Sequence, residues 1–293
     1  ASTNIAVAKP AQLSVSPAGY DFGTVATGAS PQTTFVVSNL GSATLTGTAA
    51  TTSPFSIGSG ASFTVPGGGT SNIVVSFSPG AAGSFTNNVI FASNGGASSN
   101  QVTGVGAVAP SASFTANSTL GVTPFNVAFT DVSNGTITNR YWDFGDGTTT
   151  NVTVAGVSHT YVTTGVFPVA LTVSGPVGQN TQTQNQLITV LDPNADADGD
   201  GFTNAQELQA GTNTFDPNSY SHITNVQIVG GDVQITFPSV SGKLYDLEAN
   251  SDLTTTNWNV LQTNIPGTGS PVTVTDTGGA NATNRCYRVG VLP

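Results

Sequence analysis

An all-β fold of three tandem β-sandwiches, with one short helix between the second and the third, is the architecture that the sequence predicts. Charged residues make up only 7% of the 293 residues, while the chain holds 35 Gly and 16 Pro. Ser, Thr and Asn fill most of the polar positions, so short apolar runs alternate with turn-forming residues. Helix-forming Glu, Lys, Arg and Met are scarce. A chain of this length can hold two to four small domains.

The first predicted sandwich covers residues 13–109 and follows an N-terminal segment, residues 1–12. Its strand signals are separated by Gly, Pro and Asn turns at the spacing of a β-sandwich. About seven strands are predicted: LSVS from Leu13, Phe22–Val25, Thr33–Ser38, Ser62–Val65, Ile73–Phe77, Phe85–Phe91 and Gln101–Val105. The strings YDFGTVATGASPQTTFVVSNLGS and FTVPGGGTSNIVVSFSP resemble immunoglobulin-like domains related to major sperm protein. This resemblance implies a scaffolding role and no reaction.

The second predicted sandwich covers residues 110–191. Three runs, YWDFGDGTTT from Tyr141, SHTY from Ser158 and GVFPVALTV from Gly165, closely resemble a polycystic-kidney-disease (PKD) domain, an immunoglobulin-like sandwich of many secreted bacterial proteins. The resemblance implies that Trp142 is the core aromatic residue and that Asp143, Gly145, Asp146 and Gly147 form a tight hairpin, as Asp-Gly pairs do. Asp143, Asp146 and His159 offer an alternative interpretation as a catalytic or metal cluster. We prefer the structural interpretation because these residues belong to the fold signature of the family.

The third predicted element is a calcium loop in residues 192–219, where six of the 15 acidic residues of the chain fall. From Asp196 to Glu207 the spacing matches the calcium-loop pattern D-x-D-x-D-G-x5-E. Calcium takes roughly 6–8 oxygen ligands. The pattern predicts carboxylate ligands from Asp196, Asp198, Asp200 and Glu207, the main-chain carbonyl of Phe202, and Asn204 at the position that a water often bridges. The alternative is an acidic turn that simply stays solvated.

One helix is predicted beside this loop, over 205–210, and Gly211 is expected to end it. The residues before the loop have the pattern of a strand end, so the loop is EF-hand-like without being a paired EF-hand. The string DADGDGFTNAQELQAGTNTFDPNS resembles the calcium motifs of bacterial thrombospondin type 3 and dockerin-like repeats. The resemblance implies that Asp216 completes the site and that Asp192 or Asn194 holds a second ion. Calcium is therefore the expected cofactor.

The last predicted sandwich covers residues 220–293. Its strand signals are Ile223–Val229, Asp232–Phe237, Lys243–Ala249, Trp258–Gln262, Pro271–Asp276 and Cys286–Val291. The run from GKLYDLEANSDL to NRCYRVGV resembles C-terminal β modules of secreted bacterial proteins, somewhat like fibronectin type III domains. Trp258 is predicted in the core or at a seam, with an exposed sugar-stacking tryptophan as the alternative.

Composition argues against several classes of partner. The net charge is −10 with only five Lys and Arg, so no basic patch is available for nucleic acid. No apolar run approaches the ~20 residues of a membrane span, so no membrane insertion is expected. Cys286 is the single cysteine and excludes an intrachain disulfide. The first residues, ASTN, suit a mature secreted protein, and the expected location is extracellular, at the cell surface.

No enzymatic activity is expected. The chain has two His and two Glu, and it contains no nucleophile elbow, phosphate loop or zinc-type His/Cys cluster. The preferred hypothesis is a calcium-stabilised subunit of a surface filament, sheath or fibre, whose partner is a copy of itself in a head-to-tail polymer. The apolar residues Ile5, Ala6 and Val7, or failing them 289–293, are predicted to pack on the neighbouring subunit. The alternative is an adhesive or carbohydrate-binding spacer of a secreted polysaccharide-degrading enzyme, with extracellular polysaccharide as its partner.

Overall fold

Residues 8–292 are described by the computed structural model, and residues 1–7 and 293 are not. Within the described range the chain forms 23 strands, one seven-residue α-helix and one 3-10 turn, Gly279–Asn281. The predicted all-β class of tandem immunoglobulin-like sandwiches is confirmed. The predicted assembly residues Ile5, Ala6 and Val7 lie outside the described residues. No α-helix of the described chain has the length and apolarity needed to cross a bilayer.

The first sandwich is built from nine strands in two sheets. They are β1 (Leu13–Ser16), β2 (Gly19–Ala26), β3 (Gln32–Asn39), β4 (Leu45–Ala50), β5 (Phe55–Ser59), β6 (Ser62–Val65), β7 (Thr70–Phe77), β8 (Gly83–Ser93) and β9 (Gly96–Ala107). The sheet orders are β1-β3-β7-β5 and β2-β9-β8-β4-β6. Fully buried aromatic and branched side chains such as Phe35, Phe55, Ile73 and Phe77 fill the space between the sheets.

Two strands of this sandwich, β4 and β5, were not predicted. Half of the sequence of β4, LTGTAA, is Gly and Ala, which are depleted in strands. Only Leu45 and Ala49 are buried, and pairing on both edges with β6 and β8 keeps the strand in the sheet. Long-range pairing therefore decided this strand where its local sequence was weak.

The second sandwich contains eight strands. They are β10 (Phe114–Ala116), β11 (Leu120–Val122), β12 (Phe125–Asp131), β13 (Asn139–Asp143), β14 (Thr149–Val152), β15 (Gly156–Tyr161), β16 (Gly165–Gly175) and β17 (Gly178–Leu191). The sheet orders are β10-β12-β15 and β11-β17-β16-β13-β14. β11 runs parallel to the end of β17, with Leu120 opposite Thr189.

The PKD-like signature has the structural role that its resemblance implies. Between β13 and β14, Gly145 and Gly147 take φ values of +79° and +90°, a region that favours glycine. Asp143 accepts the Gly145 amide at 3.0 Å, and Asp146 accepts the Thr148 amide at 3.0 Å. The predicted hairpin is confirmed, and these two carboxylates stabilise its turn by accepting main-chain amides.

Trp142 is fully buried, as predicted, and packs among three phenylalanines. Its ring centroid lies 5.2 Å from that of Phe114, 5.7 Å from Phe129 and 6.4 Å from Phe144. Its Nε1 atom is buried without a hydrogen-bond partner, so packing holds the side chain.

Replacing Trp142 with Ala is expected to lower the free energy of unfolding of this sandwich by about 3–5 kcal/mol, because it leaves a large cavity. Denaturant unfolding followed by circular dichroism measures this loss. The matched control is Tyr141→Ala, because Tyr141 neighbours it on β13 but is 38% exposed. A loss for Trp142→Ala no larger than that of the control would contradict the core assignment.

The third sandwich contains six strands, each overlapping a predicted one. They are β18 (Asn225–Val229), β19 (Asp232–Phe237), β20 (Leu244–Asn250), β21 (Asn259–Pro266), β22 (Val272–Asp276) and β23 (Cys286–Val291). The sheet orders are β18-β19-β22 and β21-β20-β23, around a core that includes Ile235, Phe237 and Leu247.

Trp258 lies outside that core. It is half-buried, and the Arg288 guanidinium carbon sits 4.5 Å from the centroid of its ring. Arg288 also forms an ion pair with Glu248. The predicted place in the core is therefore wrong, because an arginine on β23 covers the ring instead of apolar side chains, and the alternative place at a seam stays a prediction. A sugar ring stacking on that same face would have to displace Arg288.

Contacts divide the chain into two compact units, and the division passes through the second sandwich. One unit comprises residues up to 116 together with 128–157 and 168–185. The other comprises 117–127, 158–167 and the residues from 186 onward. The second unit therefore contains β11, the end of β17, the acidic loop, the helix and the whole third sandwich.

Candidate metal centre

The helix α1 (Asn204–Ala210) places one acidic side chain in the interior. It begins at a capping box, in which the Gln206 side chain accepts the Thr203 amide at 2.8 Å and the Thr203 hydroxyl accepts the Gln206 amide. Gly211 ends it in the left-handed conformation, as predicted, with φ +76°. Glu207 lies in the first turn and is only 1% exposed. The capped helix therefore holds this carboxylate at a fixed position inside the protein.

The acidic loop folds around its own carboxylates. Asp196 accepts the amides of Gly199 at 2.7 Å and Gly201 at 2.9 Å, which closes the loop into a tight ring. Both glycines take positive φ values, +82° and +95°, so a side chain at either position would be strained. Asp198 accepts the Asp200 amide at 3.2 Å. The turns bring ligand oxygens of the three aspartates within 4.8 Å of one another.

Four carboxylate oxygens of this cluster are buried with no hydrogen-bond partner. They are Oδ2 of Asp198, Oδ2 of Asp200 and both oxygens of Glu207. A hydrogen bond missing from one buried polar group costs about 1–3 kcal/mol, and more when the group is charged. Main-chain amides of the loop already donate to the other oxygens of Asp198 and Asp200. The four oxygens without partners are buried and negatively charged, so they indicate a positively charged ligand.

The pKa values of the cluster follow the same electrostatics. Burial raises the pKa of Glu207, and the negative charges of Asp198, Asp200 and Asp196 raise it further. The Thr212 hydroxyl has a smaller, opposite effect on this pKa. Its hydrogen bond goes to the main-chain carbonyl of Glu207, at 3.3 Å, and not to the carboxylate.

The pKa values of two loop aspartates, Asp196 and Asp198, shift in opposite directions. Burial raises the pKa of Asp198, and the neighbouring charges of Asp200 and Asp196 add to the shift. The amides of Gly201 and Gly199 lower the pKa of Asp196. Protein groups alone therefore favour the charge of Asp196 and disfavour the charges of Asp198 and Glu207.

The donor set fits calcium. The loop offers hard oxygen donors at alternate positions, and a glutamate with both oxygens available closes the site. This arrangement favours calcium over softer metals. Asp196, Asp198, Asp200 and Glu207 would hold the ion, and calcium would supply the charge that neutralises them. The main-chain carbonyl of Phe202 remains a predicted ligand.

Asn204 also has a structural task that the calcium-loop pattern does not indicate. Its side chain is 1% exposed; Nδ2 donates to the Asp192 carbonyl at 2.8 Å and Oδ1 accepts the Ala197 amide at 3.2 Å. The main-chain N–H of Asn204 donates to the Ala195 carbonyl at 2.8 Å. Asn204 therefore ties the start of the helix to the start of the loop, and its part in holding a bridging water stays a prediction. The sequence pattern gave no signal for this clamp, because its partners are main-chain groups.

The other two predicted ligands lie outside the aspartate cluster. Asp192 accepts the Asn194 amide at 2.9 Å, and Asp216 accepts the Asn218 amide at 3.1 Å. Each carboxylate thus caps its own turn. A second ion at Asp192 or Asn194, and the completion of the site by Asp216, stay predictions.

The loop and the helix contact both neighbouring sandwiches within one unit. α1 lies against β11 on the side of the second sandwich. On the other side, Gln209 donates to the Val291 carbonyl at 3.2 Å, and the Lys243 ammonium donates to the Gln209 carbonyl at 2.5 Å. The rings of Phe202 and Tyr220 stack with centroids 5.9 Å apart. The element that carries Glu207 therefore contacts β11 as well as the third sandwich, all within the same unit.

Calcium affinity is expected to fall as the pH decreases from 7 towards 4.5, because protons compete with calcium for the same oxygens. The raised pKa values of Asp198 and Glu207 mean that this competition begins at a higher pH than for ordinary carboxylates. Below the pKa of each group, affinity should fall by about tenfold per pH unit. Calorimetric titrations at several pH values measure the effect. An affinity that stays constant down to pH 4.5 would contradict this assignment.

Fold and site together define a class: tandem immunoglobulin-like modules joined by an acidic loop of the calcium-binding type. Comparison with protein families agrees, segment by segment. Residues 11–107 match the HYDIN/CFA65/VesB-like, Ig-like domain, residues 107–190 match the PKD domain, and residues 196–217 match the bacterial TSP3 repeat. Each match covers less than half of the chain. The relations of the first sandwich to major sperm protein and of the third to fibronectin type III stay predictions.

Several solved structures resemble parts of the chain. The PKD1 domain of the Vibrio cholerae metalloprotease PrtV is 30% identical and covers 28% of this chain and 98% of its own, with a TM-score of 0.24. The Vibrio cholerae VesB protease is 20% identical over 32% of each chain, with a TM-score of 0.25, so the chain spans about a third of that protease. A three-domain fragment of titin is 10% identical over 96% of this chain and 94% of its own, with a TM-score of 0.44. No curated protein matches the chain.

Proposed function

We propose that this chain is a non-enzymatic structural region of an extracellular protein, in which calcium fixes the joint between the second and third sandwiches. One observation carries this proposal: four carboxylate oxygens of the acidic loop and of α1 are buried without partners, and α1 contacts both β11 and the third sandwich. Calcium would neutralise these charges and hold the helix in place. Extracellular modules bind calcium at roughly 10⁻⁴–10⁻³ M, a concentration that the surroundings of a cell can supply.

The matched segment types support the extracellular location. The PKD domain, the VesB-like Ig domain and the bacterial TSP3 repeat are modules of extracellular or surface proteins. Such modules typically have no catalytic function of their own. A chain made of them therefore fits a spacer or a building block better than an enzyme.

We further propose that the region is a subunit of a surface filament, sheath or fibre, with copies of itself as partners. The distribution of charge supports self-association: no charged side chain lies between Asp21 and Asp131, a stretch that includes nearly all of the first sandwich. Charged surfaces keep proteins apart in solution, and a surface without charge favours contact between copies.

A second candidate function is a spacer or carbohydrate-binding region in a secreted enzyme. The observation that favours it is the match of residues 11–107 to the HYDIN/CFA65/VesB-like, Ig-like domain, since VesB is a protease. In this case the chain would hold a catalytic domain at a distance or bind extracellular polysaccharide, and it would remain monomeric.

Analytical ultracentrifugation and negative-stain imaging of the purified chain in millimolar calcium distinguish the two functions. Filaments or concentration-dependent oligomers support the assembled structure, and single rods at high concentration support the spacer. Calorimetric titration with calcium tests the part that both functions share. Absence of calcium binding at millimolar concentration would refute the proposed joint.

A further inference from the structure

One edge of the third sandwich carries an apolar strand that no part of residues 8–292 covers. β18 is the end strand of its sheet, and β19 is its only partner among the described strands. All five of its residues are exposed, which is true of no other strand in the described chain. Val226, Ile228 and Val229 are 52%, 66% and 45% exposed. A strand of this kind buries neither face in its own domain.

Beside this strand lies a shallow apolar groove of about 200 Å³. Val226 and Ile228 point to the same side of β18, because alternate residues of a strand share a face. They line the groove together with Val233, Ala280 and Tyr287. The groove thus offers apolar contacts next to the open edge of the strand.

The groove has little net charge. Arg285 is the only charged side chain in its lining, and it pairs with Asp276, which is 6% exposed. The Tyr287 hydroxyl donates to the same carboxylate at 2.9 Å. The groove therefore suits an uncharged segment better than an acidic or a basic one.

The edge also lacks the usual protection against pairing. Exposed edge strands in soluble proteins commonly carry Lys, Pro or a bulge that prevents another strand from adding to them. The sequence of β18, NVQIV, contains no charged residue and no Pro, and its register with β19 runs without a bulge. Its free main-chain groups can pair with a strand from another chain.

We propose that β18 of one copy accepts residues 1–7 of a second copy as an added strand. This inference rests on the proposed function as an assembled subunit and names the contact that would carry it. The segment, ASTNIAV, has no charged side chain, which matches the neutral groove. Seven extended residues span roughly 23 Å, enough to cover the roughly 17 Å of a five-residue strand.

The spacing of the apolar residues fits as well. Ile5 and Val7 are two residues apart, so in an extended segment they share one face. That spacing equals the one between Val226 and Ile228, so two cross-strand apolar pairs can form. Donor and acceptor are different surfaces of the molecule, so copies can join head to tail and form an open filament where the rotation between them does not close into a ring.

Disulfide trapping in the full chain tests the contact. In a Cys286→Ser background, Val7→Cys and Ile228→Cys variants are mixed and oxidised. We expect a covalent dimer with a disulfide joining positions 7 and 228, identified by mass spectrometry. The matched control replaces Ile228→Cys with Val260→Cys, since Val260 is 55% exposed on another strand of the same sandwich. Equal trapping at position 260 would overturn the proposal. Efficient trapping of Ile228→Cys with itself would also overturn it, in favour of edge-to-edge pairing of β18.

A binding experiment separates this contact from assembly as such. A fluorescent peptide of residues 1–10 is titrated with the full chain and followed by anisotropy. Ile228→Lys should weaken its binding by at least about tenfold, whereas Val260→Lys should leave it unchanged, with circular dichroism confirming that both variants are folded. Peptide binding by a wild-type chain that never assembles would support the acceptor strand and refute the filament. Filaments that form equally well with Ile228→Lys would keep the filament and overturn the strand addition.

Discussion

Glu207→Gln is expected to abolish calcium binding at millimolar calcium, a loss of about 100-fold or more. The glutamine keeps the size of the side chain but removes its charge and the two equivalent oxygens that close the site. Both oxygens of Glu207 are buried without hydrogen-bond partners, so no other group replaces their contribution. Isothermal titration with calcium measures the loss.

In the absence of calcium, the same substitution should stabilise the folded state. Burial and three neighbouring aspartates raise the pKa of Glu207, so its ionised form destabilises the folded state without calcium. The destabilising contribution of Glu207 is absent at low pH and develops as the pH rises past its unfolded pKa of about 4.3 and through its raised folded pKa. At pH 7 with chelator, Glu207→Gln should therefore melt at a higher temperature than the wild type.

The matched control is Asp252→Asn, which removes one exposed carboxylate from a turn far from the loop in sequence. It should leave calcium binding unchanged. A Glu207→Gln variant that binds calcium like the wild type, or that melts at a lower temperature than the wild type in chelator, would contradict the assignment of Glu207.

Removing calcium with a chelator is expected to destabilise the unit that contains the loop and to loosen its joint. Calcium at about 100 times its dissociation constant stabilises the state that binds it by about 2.7 kcal/mol. Without the ion, the carboxylates of Asp196, Asp198 and Asp200 repel one another, and the helix that carries Glu207 loses its fixed position. Because α1 contacts both β11 and the third sandwich, the loosening should reach both.

Three measurements follow this change. Calorimetry should show one transition shifting with calcium and another staying constant, since a chain of several modules does not unfold in one step. Small-angle scattering should report larger dimensions in chelator, and limited proteolysis should begin within residues 192–203. Glu207→Gln serves as the control: because it should bind no calcium, its scattering and its proteolysis should be the same in calcium and in chelator. Identical scattering and proteolysis with and without calcium would refute the role of calcium at the joint.

Much of this protein could be predicted from its sequence, because the informative signals are local. The D-x-D-x-D-G-x5-E spacing fixes which residues can turn inward, and the structure brings Asp196, Asp198 and Asp200 together as predicted. The end of the helix at Gly211 follows from the freedom of glycine to take positive φ. The hairpin after Trp142 follows from its Asp-Gly pair, because glycine again takes a positive φ there.

The tertiary structure decided what depends on distant parts of the chain. β4 exists because two neighbouring strands pair with it, although its residues favour a strand only weakly. Asn204 clamps the loop through main-chain groups, and Trp258 is covered by Arg288, because these contacts depend on the course of the backbone. The exposure of β18 also depends on the sheet order, since an apolar run in the sequence does not reveal which strand lies at an edge. The modules and the acidic residues of the loop follow from local sequence, whereas long-range packing determines which surfaces are paired, covered or open.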